Sequence, residues 1–169
     1  MAQERRAWSQ IFLLICSLLG VAIAIYLTAV HYNEGVPLVC SGSGVVNCGL
    51  VLSSSYAVVP GTSIPISIPG LSWCAIMATL AIVGLSTPPA WLRPAQFAWA
   101  LLGMLTVLYL VYAEIVRLHA ICAWCSVLHV LILLMFLVTL VRLTSPDLEP
   151  GELETESVRD EEAESVRPL

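Results

Sequence analysis

At 169 residues the chain is 59% hydrophobic and 11% charged, with a mean hydropathy of +0.90. That composition excludes an ordinary soluble domain and points to a polytopic membrane protein. The formal charge of −5 is local, because the acidic residues gather between Asp147 and Glu164, and with arginine as the only basic residue type and no basic patch interleaved with aromatics, a nucleic-acid partner is excluded as well.

After a polar start carrying Arg5 and Arg6, the run Ile11 to Val30 supplies the roughly 20 apolar residues that cross about 30 Å of hydrocarbon. A first membrane helix is expected over about residues 10–31. A cleaved signal peptide ending near Ala22-Ile23-Ala24 is the rival reading, and the apolar run is longer than a usual signal core.

From His31 to Pro69 the pattern breaks into Gly, Ser, Pro and short apolar pieces. This stretch contains Cys40, Cys48, the turn Gly42-Ser43-Gly44 and the segment Ile64 to Pro69, with no Lys or Arg. A short apolar run, Leu71 to Leu85, predicts a second helix over about 70–87 that recruits its first turn from the loop and stops at Thr87-Pro88-Pro89. The third helix is expected over about 94–116, opening at Arg93-Pro94 and placing Glu114 beside Arg117 at its end. A very short link returns the chain into a fourth helix over about 121–143, which opens on Cys122-Ala123-Trp124-Cys125.

The fold class is therefore all-α: a four-transmembrane-helix bundle over residues 1–143 with a cysteine-containing outer loop between helices 1 and 2, then an acidic disordered tail over 144–169. Arg5, Arg6, Arg93 and Arg142 fall on one face against Arg117 on the other, so the positive-inside rule makes both termini cytoplasmic. Cys40, Cys48, Cys122 and Cys125 then share the outer face, in an oxidising periplasm, exterior or lumen. Cys16 and Cys74, the latter expected in the first turn of the second helix, read as small hydrophobes in the core.

Residues three apart on a helix are neighbours, so a modest adjustment closes Cys122 and Cys125 into a disulfide, and the helix N-terminus favours their thiolates. The pair suits redox cycling, a structural disulfide, or zinc with His119 or His129 completing the set. Cys40 and Cys48 enclose a flexible, Gly- and Ser-rich segment that suits either exchange or a static staple. Two pairs on one face favour exchange, which proceeds through mixed disulfides. A protein of another class, a non-enzymatic scaffold or carrier with static outer disulfides, fits the same residues, as does a zinc or haem bundle.

Taken together, the loop pair Cys40 and Cys48, the stretch Val51 to Ala57 with its serines, the Ile-Pro motif before the second helix and Cys122-Ala123-Trp124-Cys125 resemble the vitamin K epoxide reductase family, including its bacterial quinone-coupled disulfide-forming members. The resemblance runs from about Ser9 to Leu143. It implies a four-helix bundle around a pocket for a quinone of menaquinone, ubiquinone or vitamin K type. Electrons would pass from a partner's thiols to Cys40, from Cys48 to Cys122, and from Cys125 to the quinone, supporting disulfide formation or vitamin K epoxide reduction. Ser54 matches the family's loop serine, implied to hydrogen-bond the quinone oxygen. His129, one helical turn after Cys125, stands where vertebrate members carry tyrosine and is implied to face the ring. Some bacterial members carry a fused thioredoxin-like domain, so here the implied partner is a separate thioredoxin-fold protein. No metal is implied. Trp124 is read as an interfacial packing residue, and Glu114 as an ion-pair partner of Arg117, with a proton-relay role as the other reading.

Overall fold

The computed structural model describes residues 2–33, 35–40, 44–86 and 89–144. The acidic tail, Gly42-Ser43 of the loop turn, and Thr87-Pro88 lie outside the described residues. Among the described residues five α-helices form: α1 (Ala2–Tyr32), α2 (Cys48–Leu52), α3 (Ser67–Ser86), α4 (Leu92–Tyr112) and α5 (Ala123–Thr144). A π-helical segment, Ala113–Leu118, prolongs α4. Four of these stretches are long and apolar enough to cross a membrane, the make-up of a multi-pass membrane protein.

The boundaries differ from the sequence expectation in ways that have local causes. α1 begins at Ala2 rather than near residue 10, because Gln3, Glu4, Arg5 and Arg6 are good helix formers and Glu4 sits favourably in the first turn. Its 31 residues reach about 46 Å at 1.5 Å per residue, longer than the hydrocarbon they cross. α3 starts at Ser67, with Pro69 in the first turn, where its missing N–H costs nothing. Cys74 is consequently two turns into α3 and not in its first turn. α5 starts at Ala123, so Cys122 precedes the helix instead of lying within it.

α1 packs chiefly on α3, α4 on α5, and α1 also on α5. The α1–α3 approach is close enough that a Cβ on Gly20 would collide with the Cys74 sulfur, the kind of small-residue contact that brings membrane helices together. Leu13, Cys16, Cys74, Met77, Ala81, Ile132 and Met135 fill the core. Leu18, Leu105, Leu108 and Val130 face outward. In water that would be a liability; in lipid it is the solvated surface.

At one end of the bundle Gln10, Gln96 and Arg142 tie α1, α4 and α5 together, with Arg142 Nη1 donating to Gln96 Oε1 at 2.8 Å. The start of α1 and the end of α5 therefore share this end. At the other end lies the loop, stapled to the chain just before α5: Val46 bridges Ile121, with Ile121 N–H to the Val45 carbonyl at 2.8 Å and Asn47 N–H to the Ile121 carbonyl at 3.1 Å.

Candidate active site at the loop end of the bundle

That backbone staple brings the two cysteine pairs together. Asn47 caps α2, its side-chain oxygen accepting from Leu50 N–H at 3.0 Å, which sets Cys48 at the first position of a helix pointing inward. Cys40 and Cys48 are joined in a disulfide; Cys122 and Cys125 are free thiols. Cys48 and Cys122, both fully buried, form one apolar cluster with Val51 and Ala120, and Cys40 and Cys125 pack against it half-buried. Cys40 is thus the outer sulfur of its pair and Cys48 the inner one.

The arm that carries Cys40 is held from two sides. Trp124 Nε1 donates to the Val39 carbonyl at 2.9 Å, and the Tyr26 hydroxyl accepts from Val39 N–H at 2.9 Å and donates to the Pro37 carbonyl at 3.1 Å. The Tyr26 and Trp124 rings are themselves 5.0 Å apart between centroids. Trp124 therefore positions the loop cysteine in addition to packing, a role its place between two cysteines did not announce.

Cys122 occupies the capping position of α5. Its sulfur accepts the Cys125 N–H at 3.3 Å, and its carbonyl accepts the Ser126 N–H at 2.9 Å. The Cys125 thiol also lies against the Cys122 sulfur. These donors, the Cys125 thiol foremost, hold the Cys122 thiol below its ordinary range. The helix N-terminus thus serves Cys122, where the sequence suggested that it would activate the pair alike.

Cys125 and His129 line two adjoining cavities. The larger, about 360 Å³, lies between α3, α4 and α5 and is walled by apolar side chains with a few polar atoms from Ser67, Thr106 and His129. Trp73 and Trp99 form one wall. Their rings stack at 6.4 Å and 10°, and each indole N–H donates to the other residue's carbonyl, at 3.0 and 3.1 Å. A Cβ on Gly103 would strike the Trp73 ring, so glycine there lets the indole lie flat on α4. Nothing in the spacing of Trp73, Trp99 and Gly103 within apolar runs signals this wall, because it depends on how two helices meet. Size and lining fit a flat, largely apolar ring of the quinone class with a reactive sulfur at one edge.

The smaller cavity, about 40 Å³, is lined by Ser54, Tyr56, Glu114, Cys125 and His129 among others. Ser54 lies here and not on the larger cavity, and its hydroxyl donates to the Val51 carbonyl at 2.7 Å. The expected Glu114–Arg117 pair is not formed: Arg117 Nε donates to the Tyr56 hydroxyl at 3.0 Å, and Glu114 is buried. The π turn explains the split, since its extra residue rotates Arg117 out to the surface while Glu114 stays inside. His119 ends the turn in the left-handed region, with φ of 51°. Among the described residues no three His, Cys, Asp or Glu side chains gather as a metal site.

A family model described as the vitamin K epoxide reductase family matches residues 11–140. No match is found among curated proteins.

Proposed function

The chain belongs to the vitamin K epoxide reductase family, whose members are thiol–quinone oxidoreductases, and from that premise we propose that it relays electrons from a thioredoxin-fold partner to a lipid-soluble quinone through Cys40, Cys48, Cys122 and Cys125. The observation that carries this reading is the shared cluster in which buried Cys48 packs with buried Cys122 while Cys40 lies outermost. A partner's thiol meets Cys40, the reduced Cys48 attacks a Cys122–Cys125 disulfide at Cys122, and Cys40 then displaces Cys122 to close the loop disulfide again. The outcome is a closed loop pair and an open inner pair.

A quinone in the 360 Å³ cavity supplies a two-electron, two-proton acceptor. Cys125 is the sulfur at the cavity wall and His129 the polar side chain beside it; both bear on the ring's position. Ser54 reaches the same edge from the smaller cavity if its hydroxyl exchanges the Val51 carbonyl for a ring oxygen. Menaquinone, ubiquinone and vitamin K types share the flat ring and isoprenoid tail that such a site needs, and disulfide formation and epoxide reduction draw on the same residues. The arginine distribution supports cytoplasmic termini and an outward-facing loop.

The test is a pair of variants assayed with purified protein and quinone. Cys125→Ala is expected to abolish quinone reduction with any donor. Cys40→Ala should block electron entry from a thioredoxin-fold partner yet leave reduction by a small dithiol. Full quinone reduction by Cys125→Ala would rule the relay out.

A further inference from the structure

Glu114 is a buried ionisable side chain that the relay, as drawn so far, leaves without a task. We propose that its carboxylate is the proton acceptor of the Cys122–Cys125 dithiol, holding one of the pair's two protons while the pair is reduced. The assignment rests on the thiol–quinone reading and names the group that handles its protons.

Three features of the geometry support it. Glu114 is only 6% exposed, and Ala120, whose N–H bonds the Glu114 carbonyl, packs in one buried cluster with Cys122, which keeps the carboxylate and the thiols at the same end of the site. Glu114 and Cys125 wall the same 40 Å³ cavity, together with Ser54, Tyr56 and His129; that space has room for a water, enough to join carboxylate and sulfur. The π segment fixes the residue there: the His119 N–H and the Ala120 N–H both bond the Glu114 carbonyl, the latter at 3.1 Å. Single π turns of this kind concentrate at functional sites.

The titratable groups around Glu114 are Cys122, Cys125 and His129 from α5 and its lead-in, Tyr56 from the loop, and Arg117 on its own element, which is turned to Tyr56. Glu114 acts electrostatically on both sulfurs. A carboxylate and a thiolate close enough to interact repel, so the site favours one negative charge and one proton shared across the two groups. The Glu114 carboxylate takes the Cys122 proton, leaving a Cys122 thiolate that accepts the S–H of the Cys125 thiol lying against it. Formation of the Cys122–Cys125 bond then releases two electrons and two protons, one from Cys125 and one from Glu114. The quinone takes all four and becomes the quinol, and the carboxylate is restored.

The experiment follows thiolate absorbance against pH in reduced, quinone-free full-length protein, as the difference from Cys122→Ser. A shared proton gives the wild type a level thiolate fraction between about pH 6 and 8. In Glu114→Gln the level region should vanish into a single-group curve climbing about tenfold per pH unit, and quinone reduction driven by a small dithiol should fall on the order of 100-fold at neutral pH, recovering as pH rises. Glu114→Asp keeps a carboxylate and should keep the level region at a lower height. Superimposable curves for wild type and Glu114→Gln overturn the assignment; so does a single-group curve in both wild type and Glu114→Asp if Glu114→Gln does not fold. Wild-type protein that shows the level region but reduces no quinone would sink the relay and leave the Glu114 assignment standing.

Discussion

The inner cysteines are three residues apart and chemically alike, yet the fold makes them different. Cys122 caps α5 and collects the Cys125 N–H and S–H, whereas Cys125 stands at the cavity wall as the donor. The Cys122 thiol is held below its ordinary value near 9.0, chiefly by the hydrogen bond from Cys125. In Glu114→Gln, where no carboxylate holds the proton instead, the unfolded chain between the folded value and that ordinary value therefore binds more protons than the folded one. Stability of that reduced variant should rise with pH through the window and be lost as pH falls through the folded value. Thermal denaturation of reduced protein in detergent, followed against pH, should show this slope in Glu114→Gln and lose it when Cys122→Ser is added. A slope unchanged by the substitution would show that the capping sulfur is not its source.

Single helices here do more than span. α2 exists to aim Cys48 inward, the π segment parts Glu114 from Arg117, and the meeting of α3 with α4 makes the indole wall of the larger cavity. Gly103 is the hinge of that last arrangement, because the Trp73 ring occupies the space a side chain would take. Gly103→Val should displace Trp73, break its reciprocal bonds with Trp99, and cost about 1–3 kcal/mol by overpacking. Quinone binding should weaken by roughly tenfold, read as a raised KM with the small-dithiol entry step unaffected. An unchanged KM would mean that the ring binds elsewhere. None of these three devices has a sequence period of its own. A five-residue helix is shorter than a hydropathy window, and the π turn differs from an α turn by one residue.

At the scale of the molecule, two ends are distinguished: one tied by Gln10, Gln96 and Arg142, the other carrying the loop and both cysteine pairs. The arginine distribution supports the loop end as the outer one. A cysteine introduced at exposed Ser55 should accordingly react with a membrane-impermeant maleimide added to intact cells, and one introduced at exposed Ala90, between α3 and α4, should react only after lysis. The opposite pattern would reverse the orientation and move the thiol partner to the cytoplasm.

The four spans, the loop between the first two and the grouping of four cysteines away from Cys16 and Cys74 were determined by sequence alone. Hydrophobic length and scarce charge decide what crosses a bilayer, and turn residues decide where a span must stop. The resemblance carried by Cys40, Cys48 and Cys122-Ala123-Trp124-Cys125 likewise needed no coordinates. Only the tertiary structure decided which sulfur is outermost, that Cys122 and not Cys125 takes the helix cap, that Ser54 donates to Val51 and faces the smaller cavity, and that Glu114 turns toward the thiols while Arg117 bonds Tyr56. Each of those outcomes depends on contacts between residues far apart in the chain, where one residue of helical register or one backbone bridge at Ile121 redirects a side chain, and local sequence carries no record of either.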